Sequence, residues 1–208
     1  MMRKIFFLCS LFFITTLSHA QYLGKCFKNY EIGFGYTVFK ATGTQIQTNP
    51  LTQVASDTVP LSVNQPTPSA MLGFNFPIQL HKDFGFGVNT SLIASAGGAY
   101  GVQVPLFLTF KYGTDATHND EAKRFGFGAG IGYDFTAFTV DNVSASYKIP
   151  SYFAEISFLP RNTLMKLKFI SSLGSVQKNF PYDASNPFNG SYKSNIPVSL
   201  LFIIVPNF

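Results

Sequence analysis

A chain of 208 residues that is 46% hydrophobic but only 12% charged has too little charge to coat an ordinary soluble domain. Its formal net charge of +5 is modest and scattered, which excludes a basic nucleic-acid-binding face. With 24 Phe, 10 Tyr and 17 Gly, it is rich in strand formers and in residues that permit close strand packing.

Residues 1–20 read as an export signal. Arg3 and Lys4 precede an apolar run from Ile5 to Leu17, and Ser18-His19-Ala20 before Gln21 offers a small-x-small cleavage site. The run is short of the ~20 residues that a spanning helix needs. The expected mature domain is therefore 21–208. Of the 15 basic residues, loss of Arg3 and Lys4 leaves 13 against 10 acidic, a net of +3. Cys9 leaves with the signal, and Cys26 stays as a single thiol with no disulfide framework. Lys25 stands where a lipobox needs a small residue.

Beyond the signal the hydrophobic period is two. Tyr30, Ile32, Phe34, Tyr36 and Val38 form the first apolar face. Leu72 to Leu80, Phe84 to Val88, Val104 to Tyr112 and Phe125 to Phe135 repeat the alternation. Tyr152 to Phe158, Met165 to Phe169 and Ile196 to Phe208 complete eight predicted strands. Several have about ten residues, the length a tilted strand needs to cross a bilayer. The predicted fold is all-β, an eight-stranded antiparallel up-and-down transmembrane barrel. Its expected location is the bacterial outer membrane, with membrane lipid as its surroundings.

Predicted connections fall at 41–68, 82–83, 95–101, 113–123, 136–150, 159–162 and 172–192. The odd-numbered ones are mostly the longer, which assigns short turns to the periplasm. With the first strand running outward, Tyr30, Phe84, Tyr112, Phe125, Phe158 and Phe208 fall at the periplasmic rim. Tyr36, Tyr133, Phe135 and Tyr152 fall at the outer rim. Aromatic girdles of this kind mark membrane interfaces. A soluble barrel or sandwich would need a charged outer face, whereas the intervening residues are chiefly Gly, Ser, Asn and Thr.

The chain resembles the small outer-membrane β-barrel families, the OmpX-type and porin-like barrel domains of Bacteroidetes. The matching pieces are Ala20-Gln21, Val102-Gln103-Val104-Pro105-Leu106, Gly126 to Tyr133, Ala154-Glu155-Ile156-Ser157-Phe158 and the terminal Phe208. The resemblance implies insertion by the barrel-assembly machinery, which reads the aromatic end. Pro206, which cannot donate to a ladder, departs from that pattern and predicts fraying there. Asp57-Thr58-Val59 is similar to the short O-glycosylation motif used by Bacteroidetes.

Eight strands leave an interior that side chains can fill. Glu31, Asp134, Glu155, Lys166 and Lys168 are predicted to form an interior polar network, with Glu155 across a turn from both lysines. Other predicted inward residues include Gln79, Asn89, Ser91, Thr109, Lys111, Asn195 and Ser199. Inward glycines on the first, third and fifth strands are expected to make room for Phe107 and Phe153. Gly126 to Gly130 is not a nucleotide loop, because no helix follows it.

His81 falls at a strand end, and His118 sits beside Asp115, Asp120 and Glu121 in what reads as a solvated turn. No serine has a nucleophile-elbow setting, so no catalytic or metal residue, enzyme activity or cofactor is expected. Loop 172–192 carries Phe180, Tyr182, Phe188 and Tyr192 as candidate contacts for a surface ligand or envelope protein, or for the membrane interface. Three roles follow: a structural or surface-interaction barrel, a narrow porin, or the anchor subunit of a secretion or uptake complex.

Overall fold

The computed structural model describes residues 30–48, 55–81, 83–116, 124–140, 143–160, 163–180 and 190–206. Its strands are β1 (Tyr30–Thr48), β2 (Ala55–His81), β3 (Phe84–Ala96), β4 (Tyr100–Gly113) and β5 (Phe125–Val140). They continue with β6 (Val143–Phe158), β7 (Leu164–Ser172), β8 (Val176–Phe180) and β9 (Gly190–Val205). From β1 to β7 each pairs antiparallel with the next, β7 and β8 both pair with β9, and β9 returns to β1, so the sheet closes on itself. β7 and β8 occupy one position in the ring, because β7 pairs with Ser199–Val205 of β9 and β8 with Gly190–Ser194. Nine strands therefore make a closed eight-stranded barrel, as the alternation predicts.

Two expected loops are largely strand, and a third contains strand. Most of 41–68 belongs to β1 and β2, whose ladder runs from Tyr30↔Phe74 out to Thr48↔Ala55. Most of 136–150 forms the β5–β6 hairpin, and 172–192 contains β8 and the start of β9. The connection 95–101 shrinks to 97–99. Polar composition argues against a lipid-facing strand, not against a strand. Thr42, Thr44 and Ile46 suit a ribbon projecting beyond the barrel wall.

The prolines within the strands occupy places where a ladder is missing. Pro60, Pro66 and Pro68 pair with β1 alone, since β2 meets β3 only from Ser69 onward. Pro77 pairs with β3 below the last β1 contact, and Pro150 lies one residue outside the β6–β7 ladder. Pro197 sits in the register shift between β9 and β1. Without an N–H to donate, proline is tolerated at such free edges and bulges. The strand β9 ends at Val205, directly before Pro206.

Inside, side chains stack in layers. At the end where β1 begins lies a charged layer. Above it Met71, Ile93, Phe107, Phe153, Ile170, Leu201 and Ile203 form an apolar septum. Next comes a hydroxyl-rich layer with Thr37, Ser69, Ser95, Gln103 and Ser199. Phe39 and Phe138, stacked with centroids 5.2 Å apart, lie over it towards the projecting hairpins.

Gly130 faces Phe153 and Gly132 faces Phe107 across their ladders. A Cβ on Gly130 would strike the Phe153 ring and lie 2.8 Å from the Leu108 carbonyl oxygen. The small-against-large pairing expected from the sequence is thus what admits the two septum rings, whose centroids are 5.0 Å apart.

Candidate functional site

The two faces of the wall are inverted relative to a soluble protein. Leu108 is 69% exposed, Ile131 65% and Phe127 58%, while Lys166 and Lys168 are buried at 1% and 0%. Exposed Phe34, Phe74, Phe86, Leu106 and Ile156 extend this apolar surface around the barrel. So large a contiguous apolar face, with the charges turned inward, fits hydrocarbon as the surrounding medium.

Glu31, Asp115 and Glu155 meet Lys111, Lys166 and Lys168 in the charged layer. Lys166 Nζ lies 2.6 Å from Glu31 Oε1 and 2.7 Å from Asp115 Oδ1. Lys111 pairs with Asp115 and, at 2.9 Å, with Glu155 Oε1. Lys168 lies 3.3 Å from Glu155 Oε2 and 3.5 Å from Glu31 Oε2. Asn89 links the two signs, donating to Glu31 Oε2 at 3.2 Å and accepting from Lys168 at 3.0 Å. Lys168 also sits 4.6 Å above the Phe153 ring, joining the cluster to the septum. Three carboxylates match three ammonium groups, so the enclosed charge is balanced.

The charged layer departs from the predicted network at two residues, Asp134 and Asp115. Lys168 is the residue directly opposite Glu155, while Lys166 turns to Glu31 and Asp115. Asp134 is buried but belongs to the hydroxyl layer, where its Oδ2 accepts from Gln103 at 3.0 Å. It lies six residues along β5 from Gly128, the residue facing Glu155, or about 20 Å of extended strand.

Asp115 is the member that sequence reading placed in a solvated turn. After Gly113, whose φ of +80° is a left-handed conformation open to glycine, the chain turns inward over Thr114–Ala116. Gly85 and Gly126 leave room for it. A Cβ on Gly85 would come within 3.1 Å of the Ala116 carbonyl oxygen, and one on Gly126 within 2.8 Å of the Thr114 nitrogen. The turn thus plugs the mouth of the barrel with an acid.

Of the ten aromatic residues expected at the rims, nine lie among the described residues. Phe84 and Tyr112 pair with ring centroids 5.1 Å apart, and Phe125 stands opposite Phe158 beside the same set of short turns. Tyr30 packs on Phe74 at 5.8 Å. Tyr36, Tyr133 and Phe135 face outward nearer the projecting hairpins, where Lys148 lies 4.4 Å from the Tyr133 ring and 5.3 Å from Phe135. Tyr152 is half-buried against Phe169. Phe208 lies outside the described residues.

Among the candidate loop contacts, Phe180 ends β8, and Tyr192 lies in β9 between Lys178 and Gly43. Tyr182, Phe188, His118, Cys26 and the signal segment lie outside the described residues, and Thr58 pairs with Ile46 inside the β1–β2 ribbon. His81 is exposed at the end of β2. Among the described residues no group of three or more His, Cys, Asp and Glu side chains is placed to hold a metal.

These features define a closed antiparallel barrel with an apolar exterior and a filled polar interior. Solved structures it is similar to include the outer membrane protein OprG from Pseudomonas aeruginosa. That likeness has 11% identity and a TM-score of 0.45, covering 85% of this chain and 94% of that one. Neisserial surface protein A gives 8% identity and 0.36 over 85% and 97% of the two chains. Ail, the attachment invasion locus protein of Yersinia pestis, gives 10% and 0.33 over 84% and 98%. No family model and no curated protein matches the sequence.

Proposed function

We propose that this chain is a non-enzymatic outer-membrane barrel, internally filled and non-conducting, that presents its projecting hairpins as an interaction surface. The observation that carries the reading is the inversion of the wall: Leu108 and Ile131 face out while Lys166 and Lys168 face in. The filled interior separates it from a porin, since the apolar septum and the charged layer both cross the lumen. The β1–β2 ribbon gives the role its place, because β2 has 27 residues where about ten suffice to span a bilayer.

In this reading the short turns face the periplasm, residues 1–20 are removed after export, and the barrel-assembly machinery inserts 21–208. The aromatic rims and Lys148 sit at the two interfaces. Phe180 at the end of β8 and Tyr192 in β9 lie on the outer side, where a surface ligand or envelope protein would meet them.

The test is extraction of native membranes, followed by gel mobility with and without boiling and by conductance in liposomes. A detergent-requiring, heat-modifiable band without discrete channels is the expected result. A chain soluble without detergent refutes the membrane reading, and discrete channels refute the non-conducting one in favour of a narrow porin. Stable co-purification with one envelope complex would recast the barrel as that complex's anchor.

A further inference from the structure

Two buried acidic environments share this barrel, and only one is neutralised. In the charged layer every carboxylate has an ammonium group within 3.5 Å. Asp134, 2% exposed, has none among the described residues, and its Oδ1 has no hydrogen-bond partner. A buried carboxylate in that position must either hold a proton or hold a cation.

Donors aimed at the carboxylate offset part of what burial costs its ionised form. Ser69 donates to Thr37 at 2.9 Å, and Thr37 and Ser199 donate to Gln103 Oε1 at 3.4 and 3.0 Å. That fixes the Gln103 amide with its nitrogen toward Asp134 Oδ2, at 3.0 Å. A relay of donors aimed at one acceptor stabilises negative charge there. The layer is also supplied with neutral oxygens: the buried Thr67 hydroxyl has no partner, and Thr136 is the next inward residue along β5.

We infer that the hydroxyl-rich layer between the apolar septum and the Phe39–Phe138 pair binds a small monovalent cation, anchored on Asp134 Oδ1. One carboxylate among neutral oxygens supplies a single charge, whereas the hard divalent ions draw on several carboxylate oxygens. Phe138, which lies over that layer, also lines an outward-opening cleft with Tyr100, Gly101, Val102 and Ser146. The site depends on the interior alone and stands whether or not the hairpins bind a partner.

The test uses the full chain refolded in detergent, with sodium or potassium exchanged for the bulky cation N-methylglucamine at constant ionic strength. The temperature at which the folded gel band disappears should rise saturably with sodium or potassium, and Asp134→Asn should abolish that rise. No rise in the parent chain overturns the site. So does an equal rise in Asp134→Asn, or a rise that Glu155→Gln removes and Asp134→Asn leaves intact. If Asp134→Asn does not fold, sodium-23 NMR of the parent chain decides. Broadening that potassium competes away supports the site, and its absence refutes it.

Discussion

Lys166 of β7 reaches across the barrel mouth to Asp115, its Nζ 2.7 Å from Oδ1, and so ties the inward-folded turn to the opposite wall. Asp115→Asn removes that tie and leaves Lys111 and Lys166 with one carboxylate fewer to share. Loss of one partner of a buried pair costs about 3–5 kcal/mol. The expected outcome is a lower urea midpoint together with faster proteolysis between Gly113 and Arg124. A midpoint unchanged from the parent chain would mean the turn is not anchored by charge.

Charge balance, rather than any single bond, should govern the cluster. Lys168→Met leaves Glu155 with Lys111 alone and Glu31 with Lys166 alone, and Glu155→Gln leaves Lys168 with Glu31 alone and Lys111 with Asp115 alone. Combining the two restores neutrality, so the double variant should cost less than the sum of the singles. A coupling of about 1–3 kcal/mol in a double-mutant cycle is expected. Additive costs would show that the two residues act independently despite facing each other in register.

The strands, their faces and the inward charges are legible because a period of two commits every second residue to one side. Three things are not. Hairpin extensions look like loops because their polar residues record the medium around them, not the backbone conformation. Pro66 and Pro68 look like breakers until the absence of a second neighbouring strand is known. Asp115 looks solvated because Gly113 reverses the chain inward. One clue to it does exist: Lys111, Lys166 and Lys168 all point inward on the lower half of the barrel, against only Glu31 and Glu155. A third acid was required there, and Asp134 lies too far along β5 to serve.

The outward face should show a depth profile. Arg substituted for Leu108, in the middle of the apolar face, should destabilise insertion by about 2–4 kcal/mol, whereas Arg for Tyr36 near the rim should cost about 0–1. Refolding into lipid vesicles across a urea series measures both. Equal costs at the two positions would contradict a bilayer-embedded wall.

The septum makes a prediction about conduction that is separate from folding. Phe107 and Phe153 cross the lumen edge to face, and Gly130 and Gly132 opposite them add no side chain to fill a gap. Truncating both rings to Ala removes most of the apolar barrier while leaving the ion pairs below intact. Each truncation should cost about 3–5 kcal/mol in stability. In planar bilayers the parent chain should be silent and the double-alanine variant should pass small ions. If the folded variant stays silent, the charged layer and the Asp115 plug close the barrel on their own. Asp115→Asn in the double-alanine background would then be needed before current appears.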